Sequence, residues 1–190
     1  MPTDIIVAGL GRSAQDFAPL ARNYVTIGVN DIDKFFAPTH LVVLDPARRF
    51  SPDRHKTICE SGASVIWTTP VWPCFENDTR RKKITTVRFD NKEYFDLDKD
   101  IPNSRTSPFA AIGLAYRLGA IRIGVIGMDL LDDHHMNKFV KQINEQLGRL
   151  AKLLLEKGVI LVNISSIAKL YTIPTTRLSY IQEKKECEIL

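Results

Sequence analysis

Apolar residues fall into short continuous runs along the chain, separated by polar and glycine-containing turns. Six of these runs predict β-strands: Asp4–Gly9, Val25–Val29, His40–Leu44, Ser64–Thr68, Arg122–Gly127 and Val159–Ile164. Most runs are apolar at consecutive positions rather than at alternate ones, which is typical of strands covered on both faces. The pattern therefore predicts a mostly parallel sheet flanked by helices.

Three helical patterns stand between these strands. The first begins near Ser13, and the second opens with Ser107 as a cap before a proline and ends at Gly119. The third runs from about Asn137 to Lys157 and carries apolar residues three or four positions apart, which predicts one buried stripe. The alternation of strands and helices predicts an α/β, Rossmann-like fold.

Residues 70–103 interrupt this alternation. Two β-like segments, Ile84–Phe89 and Glu93–Leu97, are joined by a polar turn, so a β-hairpin insertion is expected here. The hairpin could cap a sheet edge, cover a ligand site or contact another subunit. Residues 1–180 are expected to form a single domain containing this insertion, and residues 181–190 a flexible tail.

Composition narrows the class of protein further. The chain has 190 residues, a net charge of +4 and three cysteines without a CxxC spacing, which favours a cytoplasmic protein without disulfides or zinc. No apolar run has the length of a membrane span, so no membrane partner is expected. The basic run at 80–83 is more typical of a solvated surface than of a nucleic-acid site, because regularly spaced stacking aromatics are lacking. The formation of a homo-oligomer is left open.

The loop after the first strand, Gly9–Ser13, leads directly into a helix. Two glycines allow a close backbone approach to a phosphate, and a helix start offers free amide groups. Gly9, Gly11, Arg12 and Ser13 are therefore candidates for nucleotide binding. A tight strand-to-helix turn explains the same residues equally well.

Polar residues follow other strands and precede the second helix. Asn30 and Asp31 come after the second strand, and Asp45 follows the third. Ser104 and Ser107 stand at the entry to the second helix, where an anion is favoured. Ligands bind at the carboxyl ends of strands in open parallel sheets, so these residues are further candidates for nucleotide binding. Their alternative roles are those of ordinary turn and cap residues.

Carboxylates and imidazoles cluster after the fifth predicted strand. Asp129 is followed by Asp132, Asp133, His134 and His135. The three aspartates could hold Mg²⁺ beside phosphates, because hard cations prefer oxygen ligands. Either histidine could act as a general base near neutral pH, and Asp129 is a third catalytic candidate. The alternative is an exposed polar loop.

Several segments together resemble a known superfamily: Gly-Leu-Gly-Arg-Ser (9–13), Gly-Val-Asn (28–30), Ser-Pro-Phe-Ala-Ala (107–111), Leu-Gly-Ala-Ile-Arg-Ile-Gly-Val-Ile-Gly-Met-Asp-Leu (118–130) and Gly-Val-Ile-Leu-Val-Asn-Ile-Ser (158–165). The chain resembles, from Ile5 to about Leu178, the Rossmann-like superfamily of bacterial lipooligosaccharide sialyltransferases and 6-hydroxymethylpterin diphosphokinase-like proteins. It is also similar to small bacteriophage proteins of that type. Their Asp-His segment followed by asparagine corresponds to 133–137 here.

This resemblance implies that Gly9, Gly11, Ser13 and Asn30 contact a nucleotide, and Ser107 and Asp129 follow by the same logic. The expected function is a nucleotide- or nucleotide-sugar-dependent transferase of the glycosyltransferase type. One alternative is a non-catalytic protein that binds, senses or sequesters a nucleotide-like molecule. A second alternative is a magnesium-dependent diphosphokinase-like enzyme.

Overall fold

The computed structural model describes residues 3–69, 72–89, 95–104, 106–130 and 137–182. The elements, in chain order, are β1 (Thr3–Ala8), α1 (Arg12–Phe17), β2 (Val25–Val29), β3 (His40–Val43), α2 (Pro52–Cys59), β4 (Val65–Thr68), β5 (Arg81–Lys83), β6 (Thr86–Arg88), β7 (Ile101–Asn103), α3 (Ser107–Arg117), β8 (Ala120–Ile126), α4 (Asn137–Glu156), β9 (Ile160–Asn163) and α5 (Ser179–Gln182). Short 3₁₀ helices connect several of them, including Ala18–Asn23 and Pro73–Phe75.

Seven strands form one sheet in the order β5-β4-β3-β2-β1-β8-β9, and every neighbouring pair is parallel. The central strand β1 pairs Val7 with Ile27 of β2 on one side and with Val125 of β8 on the other. All six predicted strands are present in this sheet. The predicted α/β, Rossmann-like class is confirmed.

Helices cover both faces of the sheet. Successive side chains of a strand point to opposite faces, so neighbouring residues of one strand pack in different cores. Ile5 and Val7 of β1 pack in one core with α3 and α4, whereas Ile6 and Ala8 pack in a second core with α1 and α2. Both faces of β1 are therefore buried. This is the physical reason for its uninterrupted apolar sequence.

The helix α4 has the predicted apolar stripe. Ile143, Leu147, Leu150 and Leu154 are all buried against the sheet. Burial of each such side chain contributes about 1.5–3 kcal/mol relative to exposure, so this stripe holds the helix on the sheet. A glycine with positive φ, Gly158, ends the helix and turns the chain into β9.

The segment 70–103 is organised differently from the predicted hairpin. The strand β6 pairs in parallel with β7, and described residues 95–97 form no strand. The prediction of a hairpin between 84–89 and 93–97 was therefore wrong. Phe89, Phe95 and Leu97 are buried in the core with α3, and Phe89 contacts Phe109 of that helix. The basic run contributes β5, the outermost strand of the main sheet.

The cysteines also differ from expectation. Cys59, at the end of α2, and Cys74, in the 3₁₀ helix Pro73–Phe75, form a disulfide with a Cα–Cα distance of 5.7 Å. The prediction that the chain carries no disulfide was wrong, and this removes the cysteine argument for a reducing compartment. Within the described ranges, no helix is both long and apolar enough to cross a membrane.

The end of the chain docks on the sheet through Arg122 of β8. Its guanidinium donates two hydrogen bonds to the carboxylate of Asp4, at 2.8 and 2.6 Å, and others to the carbonyl oxygens of Tyr180 and Ile181. The side chain of Ile181 is buried. The predicted tail thus begins as part of α5, and residues 183–190 lie outside the described residues.

Candidate functional site

The order of the strands reverses at the centre of the sheet. The chain proceeds outward from β1 to β5 on one side and then crosses to β8 and β9 on the other. Such a reversal opens a crevice at the carboxyl ends of the two central strands, which is where open α/β sheets bind ligands. We call this side of the sheet the carboxyl edge. The loops after β1, β2, β3, β8 and β9 all lie there because the strands are parallel.

Two of the predicted site residues, Ser13 and Asp129, meet directly at this reversal. The amide of Ser13 donates a 2.8 Å hydrogen bond to Oδ2 of Asp129, and its hydroxyl donates to Oδ1. The hydroxyl of Ser165, after β9, donates to the same Oδ1 at 3.2 Å. The amide of Gly127 donates to the Ser13 hydroxyl oxygen at 2.8 Å. We call Ser13, Gly127, Asp129 and Ser165 the switch-point cluster.

The switch-point cluster changes the interpretation of Asp129. Its side chain is buried, and both carboxylate oxygens already accept hydrogen bonds. The carboxylate also occupies the amide at the start of α1, the group that a bound phosphate would use. Asp129 thus joins the loops after β1, β8 and β9, and a ligand or metal that needs more than the one acceptor position left on Oδ2 would have to displace these partners.

The glycines after β1 allow the two central loops to approach each other. A Cβ atom on Gly9 would lie 2.4 Å from the carbonyl oxygen of Gly127, and one on Gly11 would lie 2.6 Å from Oδ2 of Asp129. The amides of both glycines donate 2.8 Å hydrogen bonds into the β8 strand and loop. Of the two interpretations left open by the sequence, the tight-turn role is the one visible in these contacts.

Next to this loop, Arg12 is exposed and forms no ion pair with any other residue that the structure describes. It is the first residue of α1, so it lies directly after the β1 loop at the carboxyl edge. A positive charge in this position is available for an anionic ligand.

The end of β2 contains one engaged and one free polar side chain. Asp31 is 2% exposed, and Arg54 of α2 donates hydrogen bonds of 2.9 and 2.6 Å to it. Burial raises the pKa of Asp31, but the hydrogen bonds and the charges of Arg54 and Lys34 outweigh it and hold the pKa below its usual value. Asp31 is therefore held as a carboxylate by α2.

The neighbouring Asn30 adopts a φ of 53°, a left-handed conformation that asparagine tolerates better than most residues. Its backbone amide donates a hydrogen bond to the carbonyl oxygen of Val42. Its side-chain Oδ1 is buried and finds no hydrogen-bond partner among the described residues. A buried acceptor without a partner costs about 1–3 kcal/mol, so such an atom indicates a missing ligand or water.

The helix α3 begins at the same edge. It leads through Gly119 into the amino end of β8, so its other end must lie at the carboxyl edge. Ser107 is its first residue and Thr106 is its N-cap, one residue earlier than predicted. No side chain caps the helix, and the hydroxyl of Thr106 is buried without a partner among the described residues. Sequence reasoning missed Thr106, although a threonine before Ser-Pro is a recognisable cap signal.

The remaining nucleotide-binding candidates have partners of their own. Asp45 forms a 2.7 Å ion pair with Arg49 at the surface, and its backbone carbonyl accepts a hydrogen bond from Trp72. Ser104 donates its hydroxyl to the side-chain oxygen of Gln146 on α4. Both lie near the carboxyl edge, but neither side chain is free for a ligand without exchange of these bonds.

The predicted catalytic histidines, His134 and His135, and the predicted metal ligands Asp132 and Asp133 lie outside the described residues. Their roles stay predictions. Of the two described histidines, His40 is the first residue of β3 and so lies at the opposite, amino edge of the sheet, where burial lowers its pKa. His55 lies on α2.

A magnesium site finds little support in the described part of the candidate site. Asp129 is the one predicted ligand described, and its two oxygens already accept three hydrogen bonds within the switch-point cluster. Among the described residues, the one group of three or more histidine, cysteine or acidic side chains close enough to share a metal is His55, Cys59 and Cys74. A magnesium ion prefers oxygen ligands, so that group does not fit it.

No protein-family model matches this chain, and no curated protein sequence does. Solved structures of the sialyltransferase CstII from Campylobacter jejuni share its fold. The complex with the substrate analogue CMP-3FNeuAc is 11% identical, with a TM-score of 0.53, covering 91% of this chain and 85% of that one. The complex with cytidine-5'-monophosphate is 13% identical, with a TM-score of 0.53, covering 90% and 84%. At this identity the likeness concerns the fold.

Proposed function

We propose that this chain binds a nucleotide or a nucleotide sugar at the carboxyl edge, between the ends of β1 and β2 and the start of α3, and transfers a group from it as a glycosyltransferase-like enzyme. The observation that carries the proposal is Oδ1 of Asn30, which is buried and has no hydrogen-bond partner among the residues that the structure describes. Oγ1 of Thr106, at the start of α3 on the same edge, is likewise buried and unpaired within the described ranges.

Each part of a nucleotide has a matching group at this edge. The amide of Asn30 offers an acceptor and two donors, which suit the edge of a base or ribose hydroxyls. The uncapped start of α3 and the exposed guanidinium of Arg12 favour phosphate oxygens. The net charge of +4 favours an anionic ligand as well.

The chemical step is assigned to the segment that follows β8. His134 or His135 would deprotonate an acceptor hydroxyl, and the start of α3 would stabilise the departing phosphate. The switch-point cluster supports this step indirectly, because it holds Asp129, which precedes that segment in the chain. The fold shared with structures that hold CMP and CMP-3FNeuAc supports a cytidine nucleotide sugar as the first donor to test.

The proposal is tested by calorimetry and thermal shift with CMP, CMP-sialic acid, other nucleotide sugars and nucleoside triphosphates, with and without Mg²⁺. A ligand at 100 times its dissociation constant adds about 2.7 kcal/mol of stability, which is a measurable shift. Turnover is then followed as release of the nucleotide in the presence of sugar acceptors.

Two variants locate the site. Asn30→Gly removes the amide while keeping the left-handed backbone unstrained, and Thr106→Val removes the hydroxyl at nearly constant shape. Loss of one hydrogen bond of about 1 kcal/mol weakens binding about fivefold, with a range of about 2- to 13-fold. Thr106→Val should leave the free protein as stable as wild type or more so, because it deletes a buried hydroxyl without a partner. The matched control is Asn23→Gly, which lies before β2 at the opposite edge.

The outcomes separate the alternatives. Binding of a cytidine nucleotide together with turnover that is lost in the His134→Ala or His135→Ala variant supports the transferase. Binding without turnover with any acceptor favours a protein that sequesters or senses the ligand. A shift that requires both Mg²⁺ and a nucleoside triphosphate favours the diphosphokinase-like alternative. If no nucleotide binds, or if Asn30→Gly binds as tightly as wild type, this site is refuted.

A further inference from the structure

The three residues His55, Cys59 and Cys74, here called the Cys–His cluster, converge on the face of the sheet that α2 covers. His55 and Cys59 are four positions apart on α2, so they share one face of the helix. Cys74 reaches the same point from the 3₁₀ helix Pro73–Phe75. Both ring nitrogens of His55 lie 3.8 Å from Sγ of Cys59, and the ligand atoms of all three residues lie within 4.8 Å of one another.

The imidazole is held in place by a buried tryptophan. The ring of Trp72 stacks on His55 with 5.3 Å between centroids and an interplanar angle of 14°. Trp72 is fully buried, and its indole nitrogen donates to the backbone carbonyl of Asp45. Cys74, in contrast, is exposed. The cluster thus has a fixed inner side and an outer side open to solvent.

Two thiolates and an imidazole are the ligands that zinc and other thiophilic divalent metals prefer. With the usual bond lengths of about 2.3 Å to sulfur and 2.0–2.1 Å to nitrogen, tetrahedral geometry places nitrogen and sulfur about 3.6 Å apart and the two sulfurs about 3.8 Å apart. The nitrogen–sulfur distance of 3.8 Å is already close to this value. Metal binding then requires the bond between Cys59 and Cys74 to open and the two sulfurs to separate to about 3.8 Å.

We propose that the Cys–His cluster is a redox-controlled site for a thiophilic divalent metal such as Zn²⁺. In the oxidised protein Cys59 and Cys74 form the disulfide and no metal binds. In the reduced protein their thiolates and the neutral imidazole of His55 bind one metal ion, and water takes the fourth position on the exposed side. The proposal is independent of the nucleotide site.

The conversion balances as a two-electron exchange. A dithiol reductant supplies two electrons and two protons, so the S–S bond breaks, two thiols form and the reductant becomes its own disulfide. When the metal binds, the two thiols lose their protons to solvent and the thiolates coordinate it. Metal binding is therefore expected to weaken as pH falls.

The test uses the full chain, reduced with a dithiol and freed of reductant under anaerobic conditions, and titrated with Co²⁺ and Zn²⁺. Reduced protein should bind one Co²⁺ per chain, with thiolate-to-metal charge-transfer absorption and the intense d–d bands of a tetrahedral site. Zn²⁺ should displace the Co²⁺ and raise the melting temperature of the reduced protein. Oxidised protein should show none of these changes.

Substitutions identify the ligands. Cys59→Ser and Cys74→Ser should each weaken Co²⁺ binding by more than the ~10–100-fold that loss of a supporting contact costs, and His55→Ala should weaken it by at least ~10-fold. Cys187→Ser removes the third cysteine and serves as the matched control with unchanged binding. In reduced wild-type protein, Zn²⁺ should protect Cys59 and Cys74, but not Cys187, from alkylation. The extent of alkylation at each cysteine is measured by mass spectrometry.

The alkylation measurement needs no variant, so the proposal stays testable if a variant fails to fold. Equal binding of Co²⁺ by the oxidised and reduced proteins would overturn it. So would full alkylation of Cys59 and Cys74 in the presence of Zn²⁺, or binding that is unaffected by His55→Ala. Each of these results would leave Cys59 and Cys74 as a structural disulfide alone.

Discussion

The stability of an Asp129→Ala variant tests whether Asp129 is a buried anchor of the switch-point cluster or a residue available to a ligand. The Asp129→Ala variant removes the acceptor of three hydrogen bonds, two from Ser13 and one from Ser165. A hydrogen bond to a charged group contributes about 1.5–3 kcal/mol net, so the two bonds from Ser13 amount to about 3–6 kcal/mol. Relief of the desolvation of the carboxylate offsets part of this. We expect the free energy of unfolding to fall by about 2–4 kcal/mol.

This loss is large against the 5–15 kcal/mol that is typical of a folded domain. In urea unfolding with a slope near 2 kcal/mol per molar, the midpoint should fall by about 1–2 M while the slope stays unchanged. No ligand is added, so the effect reports on the free protein. The control is Asp16→Ala, which removes an exposed carboxylate on the same helix α1 and should change stability by less than about 0.5 kcal/mol.

A double-mutant cycle isolates the contact itself. Ser13→Ala removes both the hydroxyl that donates to Asp129 and the acceptor of the Gly127 amide. The two variants should therefore be non-additive, with a coupling energy of about 1–3 kcal/mol. If Asp129→Ala unfolds within about 0.5 kcal/mol of wild type and no coupling is found, the anchor role is refuted, and Asp129 returns to the list of residues available to a ligand or metal.

Three further substitutions test other contacts of the fold. Arg122→Ala leaves the carboxylate of Asp4, whose side chain is 11% exposed, without its cation and should cost about 3–5 kcal/mol in denaturant unfolding. Arg122→Lys should recover only part of this stability because lysine lacks the planar fork, and equal stability of all three proteins would contradict the assignment. The pKa of Asp31 is lower in the folded protein, so the contact with Arg54 stabilises the fold above the unfolded pKa of about 3.9, and this stabilisation is lost as pH falls through the folded pKa. Because Arg54 is partly exposed, Arg54→Ala should cost about 1–3 kcal/mol at neutral pH and less in acid. A cost that does not change with pH would refute the assignment. Gly9→Ala brings a Cβ to 2.4 Å from a carbonyl oxygen of the loop after β8 and should lower stability by about 1–3 kcal/mol or more. An unchanged melting temperature would show that the loops after β1 and β8 can separate at no cost.

The sheet could be predicted from the sequence because its signal is local. Strands buried on both faces are mostly apolar, and α4 repeats its apolar residues every three or four positions. The edge strand β5, Arg-Lys-Lys, has no such signal and was not predicted. The short helix α2 escaped prediction because its sequence is mostly polar, with only Ile58 fully buried. The hairpin was wrongly predicted because alternation and a polar turn indicate strands but not their partners. In the structure, Phe89 and Phe95 pack against each other in the core.

In the candidate site, too, local features could be predicted from the sequence and long-range contacts could not. The sequence by itself determined that polar residues follow each strand, and parallel pairing then places them on one edge. Only the tertiary structure decided that the carboxylate of Asp129 is occupied by Ser13 while Oδ1 of Asn30 is left without a partner among the described residues. It also brought Cys59 to Cys74. The physical reason is that hydrogen-bond partners and ligand sets join residues far apart in the chain, and no periodicity of the sequence specifies which distant groups meet.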